Sequence, residues 1–212
     1  MRTPISFLAA VGLVLAVALA SGCVISDTPL SDPAPSDADK LLFGCWRADD
    51  DDGYTTLQFA PPTEATPKVR AIGDQKIMVV TLTRNAKSGV DPIAMTERAF
   101  VTEIGVSTFL NIYDQHERGY RINRYQIDGP TLDVWRMDIT AVADAIRNGD
   151  LPAGEMTYDR GTPSRVRITR PVRQDDPDEI RDKLRALVTG KDADKLFPEH
   201  CRVRYTRIED KK

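Results

Sequence analysis

Between Tyr120 and Met137 two runs of alternating apolar and polar residues, Tyr120 to Ile127 and Thr131 to Met137, flank Asp128-Gly129-Pro130. Asp-Gly between such runs is a strong short-range hairpin signal, because Gly supplies the left-handed φ of a tight turn at no steric cost. Similar runs recur at Gly44 to Arg47, Tyr54 to Phe59, Lys76 to Arg84, Arg98 to Glu103, Thr108 to Tyr113, Arg165 to Thr169 and Cys201 to Ile208. Polar Asp49 to Gly53 and the Pro61-Pro62 pair separate the first of them. Lys76 to Arg84 is apolar at both parities, as in a central strand covered on two sides. Strands at this spacing predict an antiparallel meander curved into a barrel or half-barrel.

Helical periodicity interrupts the strands twice in the C-terminal half. From Asp138 to Asn148, Ile139, Val142 and Ile146 fall on one face, and Gly149 ends the element. Asp176-Pro177-Asp178-Glu179 is a helix start, with Pro in the first turn and acids at the positive end of the dipole. Ile180, Leu184, Leu187 and Val188 form its stripe. Shorter helical turns are expected at Asp37 to Phe43 and Asp192 to Phe197. The expected fold class is therefore α+β, predominantly an antiparallel β meander or half-barrel with two main helices in the C-terminal half.

The 212 residues carry a net charge of −3, which excludes a generally basic nucleic-acid binder. The chain contains no G-x-S-x-G, H-E-x-x-H, Gly-rich phosphate loop or S-x-x-K pattern, so no catalytic residue and no cofactor is expected. His116 and His200 stand apart in polar stretches, and no metal site is expected. Asp49-Asp50-Asp51-Asp52-Gly53 fails the EF-hand register, since Phe59 stands where a bidentate Glu would be needed, and reads as a solvated hairpin tip.

Residues 160–212 hold 15 basic against 10 acidic residues. Arg165/Arg167 and Arg202/Arg204 each share one strand face. Were the two strands neighbours, four guanidinium groups would form a patch for an anionic glycan, phosphate or lipid headgroup. The competing reading is a water-facing surface paired with Asp and Glu.

The N-terminus has one charge at Arg2, an apolar run from Ile5 to Ala20 and small residues before Cys23, the pattern of a secretory signal peptide. Leu19-Ala20-Ser21-Gly22-Cys23 resembles the lipobox of bacterial lipoproteins. The resemblance implies cleavage before Cys23, with diacylglycerol on its sulfur and an acyl chain such as palmitate on its amine. It places the protein in the bacterial cell envelope, and Val24 after the cysteine implies the outer membrane, facing the periplasm. The domain reading that follows is a signal peptide at 1–22, a lipidated Cys and flexible Pro/Asp tether at 23–37, and a single β-rich domain at 38–212. With Cys23 lipidated, Cys45 and Cys201 remain for a disulfide pinning the first strand to the last, the alternative being two buried thiols.

Gly44-Cys45-Trp46, after a helical turn and at the start of the meander, resembles the G-x-W of lipocalins. In that family the tryptophan plugs the closed end of an eight-stranded barrel and a late-strand arginine packs across it. The resemblance implies a structural Trp46 and a ligand entering at the other end. The stretch from Tyr120 through the Asp128-Gly129 turn to Leu196-Phe197-Pro198 is also similar to a recurring layout in uncharacterised secreted bacterial proteins, which implies no activity.

Two functions are expected from these features. The first is a membrane-anchored, non-enzymatic binding or structural module whose partner is an envelope protein or glycan. The second is a lipocalin-like carrier of a small apolar ligand, with Phe109, Tyr120, Val134 and Trp135 lining the pocket.

Overall fold

The computed structural model describes residues 23–32, 38–61, 78–87, 91–151, 154–169 and 177–208. The signal peptide, residues 33–37 of the expected tether, Pro62, Lys76-Ile77 and Asp176 lie outside the described residues.

The strands are β1 (Cys23–Ser26), β2 (Gly44–Asp50), β3 (Gly53–Ala60), β4 (Met78–Ala86), β5 (Ile93–Ile104), β6 (Ser107–Asp114), β7 (Gly119–Asp128), β8 (Thr131–Arg136), β9 (Gly154–Asp159), β10 (Thr162–Ile168) and β11 (Arg202–Ile208). The helices are α1 (Ala38–Leu42), α2 (Ile139–Arg147), α3 (Pro177–Thr189) and α4 (Ala193–Leu196), followed by a 3₁₀ turn at Glu199–Cys201.

The fold is not the open α+β meander or half-barrel expected. Strands β2 to β8 pair consecutively and antiparallel, and β11 pairs with both β8 and β2, so eight strands close on themselves. Closure abolishes the exposed edges that an open meander would carry. The deciding strand is β11, which follows both helices and inserts between β2 and β8, the first and seventh strands of the barrel, a long-range pairing that no local pattern encodes. The two expected helices are present: Asp138 caps α2, its carboxylate accepting from the Ala141 N–H at 2.8 Å, and Ile180, Leu184 and Val188 are the buried stripe of α3.

Strand alternation sorts the barrel's side chains into two sets. Trp46, Leu57, Phe59, Met78, Val80, Ala99, Val101, Leu110, Tyr125, Leu132, Val134 and Tyr205 fill the interior, joined by Leu42 of α1. Phe109, Ile122 and Trp135 point outward into a second core built with β1, β10, α2, α3 and α4. An eight-stranded barrel is just wide enough to be filled by its own side chains.

The tether expected from Cys23 onward is replaced, over 23–32, by ordered structure. Strand β1 pairs parallel with β10 and touches β7 at Ser26↔Tyr120. Val24, Ile25 and Leu30 are buried, and Asn111 accepts from the Leu30 N–H at 3.1 Å. The Pro/Asp content suggested a solvated linker, but three apolar side chains suffice to dock this segment on the barrel wall.

The expected Cys45–Cys201 disulfide is not formed in this structure, where strand register holds the two cysteines apart. Cys45 lies opposite Ile208, whereas Cys201 stands seven residues earlier, just before β11 begins. That is about 23 Å along an extended strand, against the ~6 Å that a disulfide spans between Cα atoms. Neither cysteine is disulfide-bonded in this structure.

Candidate binding site at the open end of the barrel

One end of the barrel is sealed. Gly44, at φ +122°, turns the chain from α1 into β2 with a backbone that L side chains rarely adopt. Trp46 then enters the barrel fully buried, and its indole Nε1–H donates to the Leu42 carbonyl at 2.7 Å. Arg207 of β11 lies over the indole ring, its Cζ 4.3 Å from the centroid, and donates to the Phe43 and Leu41 carbonyls at 3.2 and 2.5 Å. Trp46, Ala99 and Leu132 are wholly inaccessible and Met78 and Leu110 are 1% exposed, so no water-sized gap lies beside them.

The other end is polar. The same alternation directs Asp50, Arg84, Glu97, Asp114, Arg121 and Arg136 to the inner side of the opposite strand ends. Arg84 pairs with Asp50, and Arg121 pairs with Glu97 while its Nε lies 3.7 Å from Asp114. Burial pushes the Glu97 carboxyl above its ordinary range, and the Arg121 guanidinium only partly offsets this. Below the rim, burial pushes the Tyr205 hydroxyl up to about 12, with Arg136 and Arg84 the charges acting against that shift. Arg136 is exposed and has no carboxylate partner among the described residues.

Cys23 sits beside this rim. Burial raises its thiol pKa, and Arg121, Asp114, Arg165 and Glu97 are the charges around it. The Cys201 thiol is likewise raised, first by burial and then by Asp138. Neither cysteine has the lowered pKa of an activated thiolate nucleophile.

The four arginines do not form one patch. β10 and β11 are separated in the sheet by β8, β7 and β1, and each arginine already has an acid. Arg165 pairs with Glu117, Arg167 with Asp27 at 2.6 Å, Arg202 with Glu199, and Arg204 with Asp133 at 2.8 Å. Arg165 and Arg167, with Glu155 and Thr157, line a shallow cleft of about 260 Å³ on the extension of the sheet.

The four residues expected to line an apolar pocket are also dispersed. Val134 faces the barrel interior, whereas Phe109 and the adjacent Trp135 face the outer core, as a period of two requires. Tyr120 packs edge-on against Phe100 and Tyr113 elsewhere on the outer wall. Trp135 borders an open groove of about 430 Å³ with Val106, Arg124 and Gln126, and Arg124 lies 5.1 Å from its ring centroid.

No protein-family model, curated protein or solved structure matches this chain. The eight-stranded closure, with the Trp46–Arg207 stack at one end, is compatible with a lipocalin-like binding protein.

Sequence reasoning missed the charged rim. Its six residues come from six strands and become neighbours only on closure, although each has the parity of the core positions in its own strand. It also missed a group at the end of β8 and the start of β11, where Asp138, His200 and Cys201 converge with their ligand atoms within 4.8 Å of one another and Arg136 is among the charges acting on Cys201.

Proposed function

We propose that this protein is a lipid-anchored binding module of the bacterial cell envelope, lipocalin-like in its barrel, whose open end receives the anionic headgroup of a membrane-borne ligand. The observation that carries the reading is Arg136, an exposed cation without a carboxylate partner among the described residues, at a rim where Arg84 and Arg121 are paired. An unpaired guanidinium beside a buried hydroxyl favours a bidentate oxyanion such as a phosphate or carboxylate. The filled interior around Trp46, Ala99 and Leu132 argues against a carrier that swallows an apolar molecule, so the ligand is held by its head.

The lipobox-like residues before Cys23 support the anchor, and with it the outer membrane facing the periplasm. Because β1 is part of the sheet, a lipid on Cys23 would leave the fold beside Arg121 and Asp114, at the open end. The anchor would thus turn the mouth toward the bilayer surface, where anionic headgroups are concentrated.

The test is native mass spectrometry of the protein extracted from its own membranes in mild detergent, alongside Arg136→Glu. The expected result is an anionic amphiphile retained by the wild-type chain and lost from the variant. A wild-type chain without adduct, or one whose adduct survives Arg136→Glu, overturns the reading.

A further inference from the structure

The long crossover that carries α2, β9, β10, α3 and α4 leaves the barrel after β8 and returns at β11. Its two ends meet at Asp138, the residue that caps α2, and at His200 and Cys201 in the 3₁₀ turn. The His200 Nε2 lies 3.2 Å from Asp138 Oδ2, and the Cys201 Sγ lies 3.9 Å from the same oxygen. The headgroup reading gives this trio no role, although Arg136 is among the charges acting on Cys201.

We propose that Asp138, His200 and Cys201 form a three-ligand site for a divalent transition metal of the zinc type, with a fourth position open to water or an exogenous ligand. The argument begins with the donor set. Imidazole nitrogen, thiolate sulfur and carboxylate oxygen are the three protein donors that zinc takes, and three of them with an open fourth position is a recurrent arrangement. Thiolate and carboxylate together carry two negative charges, which neutralise a divalent ion.

Geometry supports the same assignment. Tetrahedral zinc with metal–oxygen and metal–nitrogen distances of ~2.0 Å and a metal–sulfur distance of ~2.3 Å sets its ligand atoms about 3.3 to 3.6 Å apart. The two edges at Asp138 Oδ2, 3.2 and 3.9 Å, bracket those values, and the third edge, between His200 and Cys201, is within 4.8 Å, so side-chain rotation has to draw these two donors together around the ion. The two carboxylate oxygens of Asp138 are also divided in their duties. Oδ1 accepts from the Ala141 N–H at 2.8 Å, which fixes the plane of the group and leaves Oδ2 aimed at His200 and Cys201. A ligand carboxylate oriented by a hydrogen bond of this kind is the usual outer-shell support of a metal site.

The backbone further preorganises the trio, for the Asp138 N–H donates to the Leu196 carbonyl at 2.8 Å and the Cys201 N–H to the Pro198 carbonyl at 3.0 Å. His200 is the most exposed of the three, its side chain 72% exposed, which leaves the open position facing solvent. The site was illegible in the sequence because Asp138 lies 62 residues before His200 and because Cys201 was expected to be in a disulfide.

The test is a cobalt(II) titration of the full chain, reduced and stripped of metal, followed by absorption spectroscopy. The proposal expects one equivalent of cobalt, tetrahedral visible bands, a near-ultraviolet thiolate-to-cobalt band, and displacement of all of these by zinc. Cys201→Ser should lose the thiolate band, and His200→Ala should weaken binding by about tenfold or more. Both variants should keep the wild-type circular dichroism spectrum, since His200 is largely exposed and Cys201 to Ser removes little volume. A titration without a thiolate band, or one whose band survives in Cys201→Ser, overturns the site.

Discussion

Arg207 of the last barrel strand lies over Trp46 of the first, its guanidinium carbon 4.3 Å from the ring centre. The two residues pair directly across β2 and β11, the junction at which the barrel closes. Their stack also gathers the carbonyls of Leu41, Phe43 and Leu42, which ties α1 to the same end. One contact therefore joins the N-terminal helix, the first strand and the last.

Removing it should be costly. Arg207→Ala loses a partly buried cation–π contact of ~1 kcal/mol and two charge-assisted hydrogen bonds, so a destabilisation of about 2 kcal/mol is expected in urea unfolding followed by circular dichroism. Arg204→Ala breaks a pair with a largely exposed arginine and should cost less than about 1 kcal/mol in the same assay.

Docking of β1 can be tested through Gly119. A Cβ at this position would lie 2.4 Å from Ile25 Cγ2 and 3.0 Å from the Ser26 carbonyl oxygen. Gly119→Ala should therefore displace β1, at a cost of about 2 kcal/mol. Limited proteolysis should then cut within residues 23–32 sooner than in the wild-type chain, whereas a free tether there would be cut equally fast in both.

Much of the secondary structure was written locally. Asp128-Gly129 specified the β7–β8 hairpin, and Asp138 with the 3.6-residue repeat specified α2. What escaped was whatever depends on closure. Strand β9 (GEMTYD) is an exposed edge whose polar residues gave no apolar alternation, and β1 has only four residues inside a Pro/Asp-rich segment. Val134 and Trp135 both read as apolar, but adjacency on a strand sends them to opposite sides of the wall. The charged rim was illegible for the same reason, since Glu97 and Arg121 share a site only through the pairing of three strands.

Asp133 and Glu97, whose pKa values are shifted in opposite directions, should respond to pH in opposite senses. Two hydrogen bonds from Arg204, at 2.8 and 2.9 Å, hold Asp133 below its ordinary value of 3.8. Its stabilisation is present above the unfolded-state pKa and is lost as pH falls through the native one. The deficit of Asp133→Asn, at most about 1 kcal/mol near neutrality, should thus vanish in acid. Glu97 is raised above 4.5, so its contribution is full below that value and lost as pH rises through the native pKa. Urea stability of Glu97→Gln, measured against wild type, should improve progressively from pH 4 to pH 7.

The two thiols on β2 and before β11 should remain separate. Non-reducing peptide mapping should recover Cys45 and Cys201 as independently alkylated peptides, and dithiothreitol should leave the thermal midpoint unchanged. A linked peptide would mean that β11 is displaced by several residues from the register described.

The most direct measurement of the account is co-sedimentation of the unlipidated Cys23→Ser chain with vesicles of phosphatidylglycerol or of phosphatidylcholine, with and without Arg136→Glu. Binding to the anionic vesicles alone, reduced at least tenfold by Arg136→Glu, is the predicted result. Equal binding to both lipids, or anionic binding that Arg136→Glu leaves intact, would contradict a headgroup site at the mouth of the barrel.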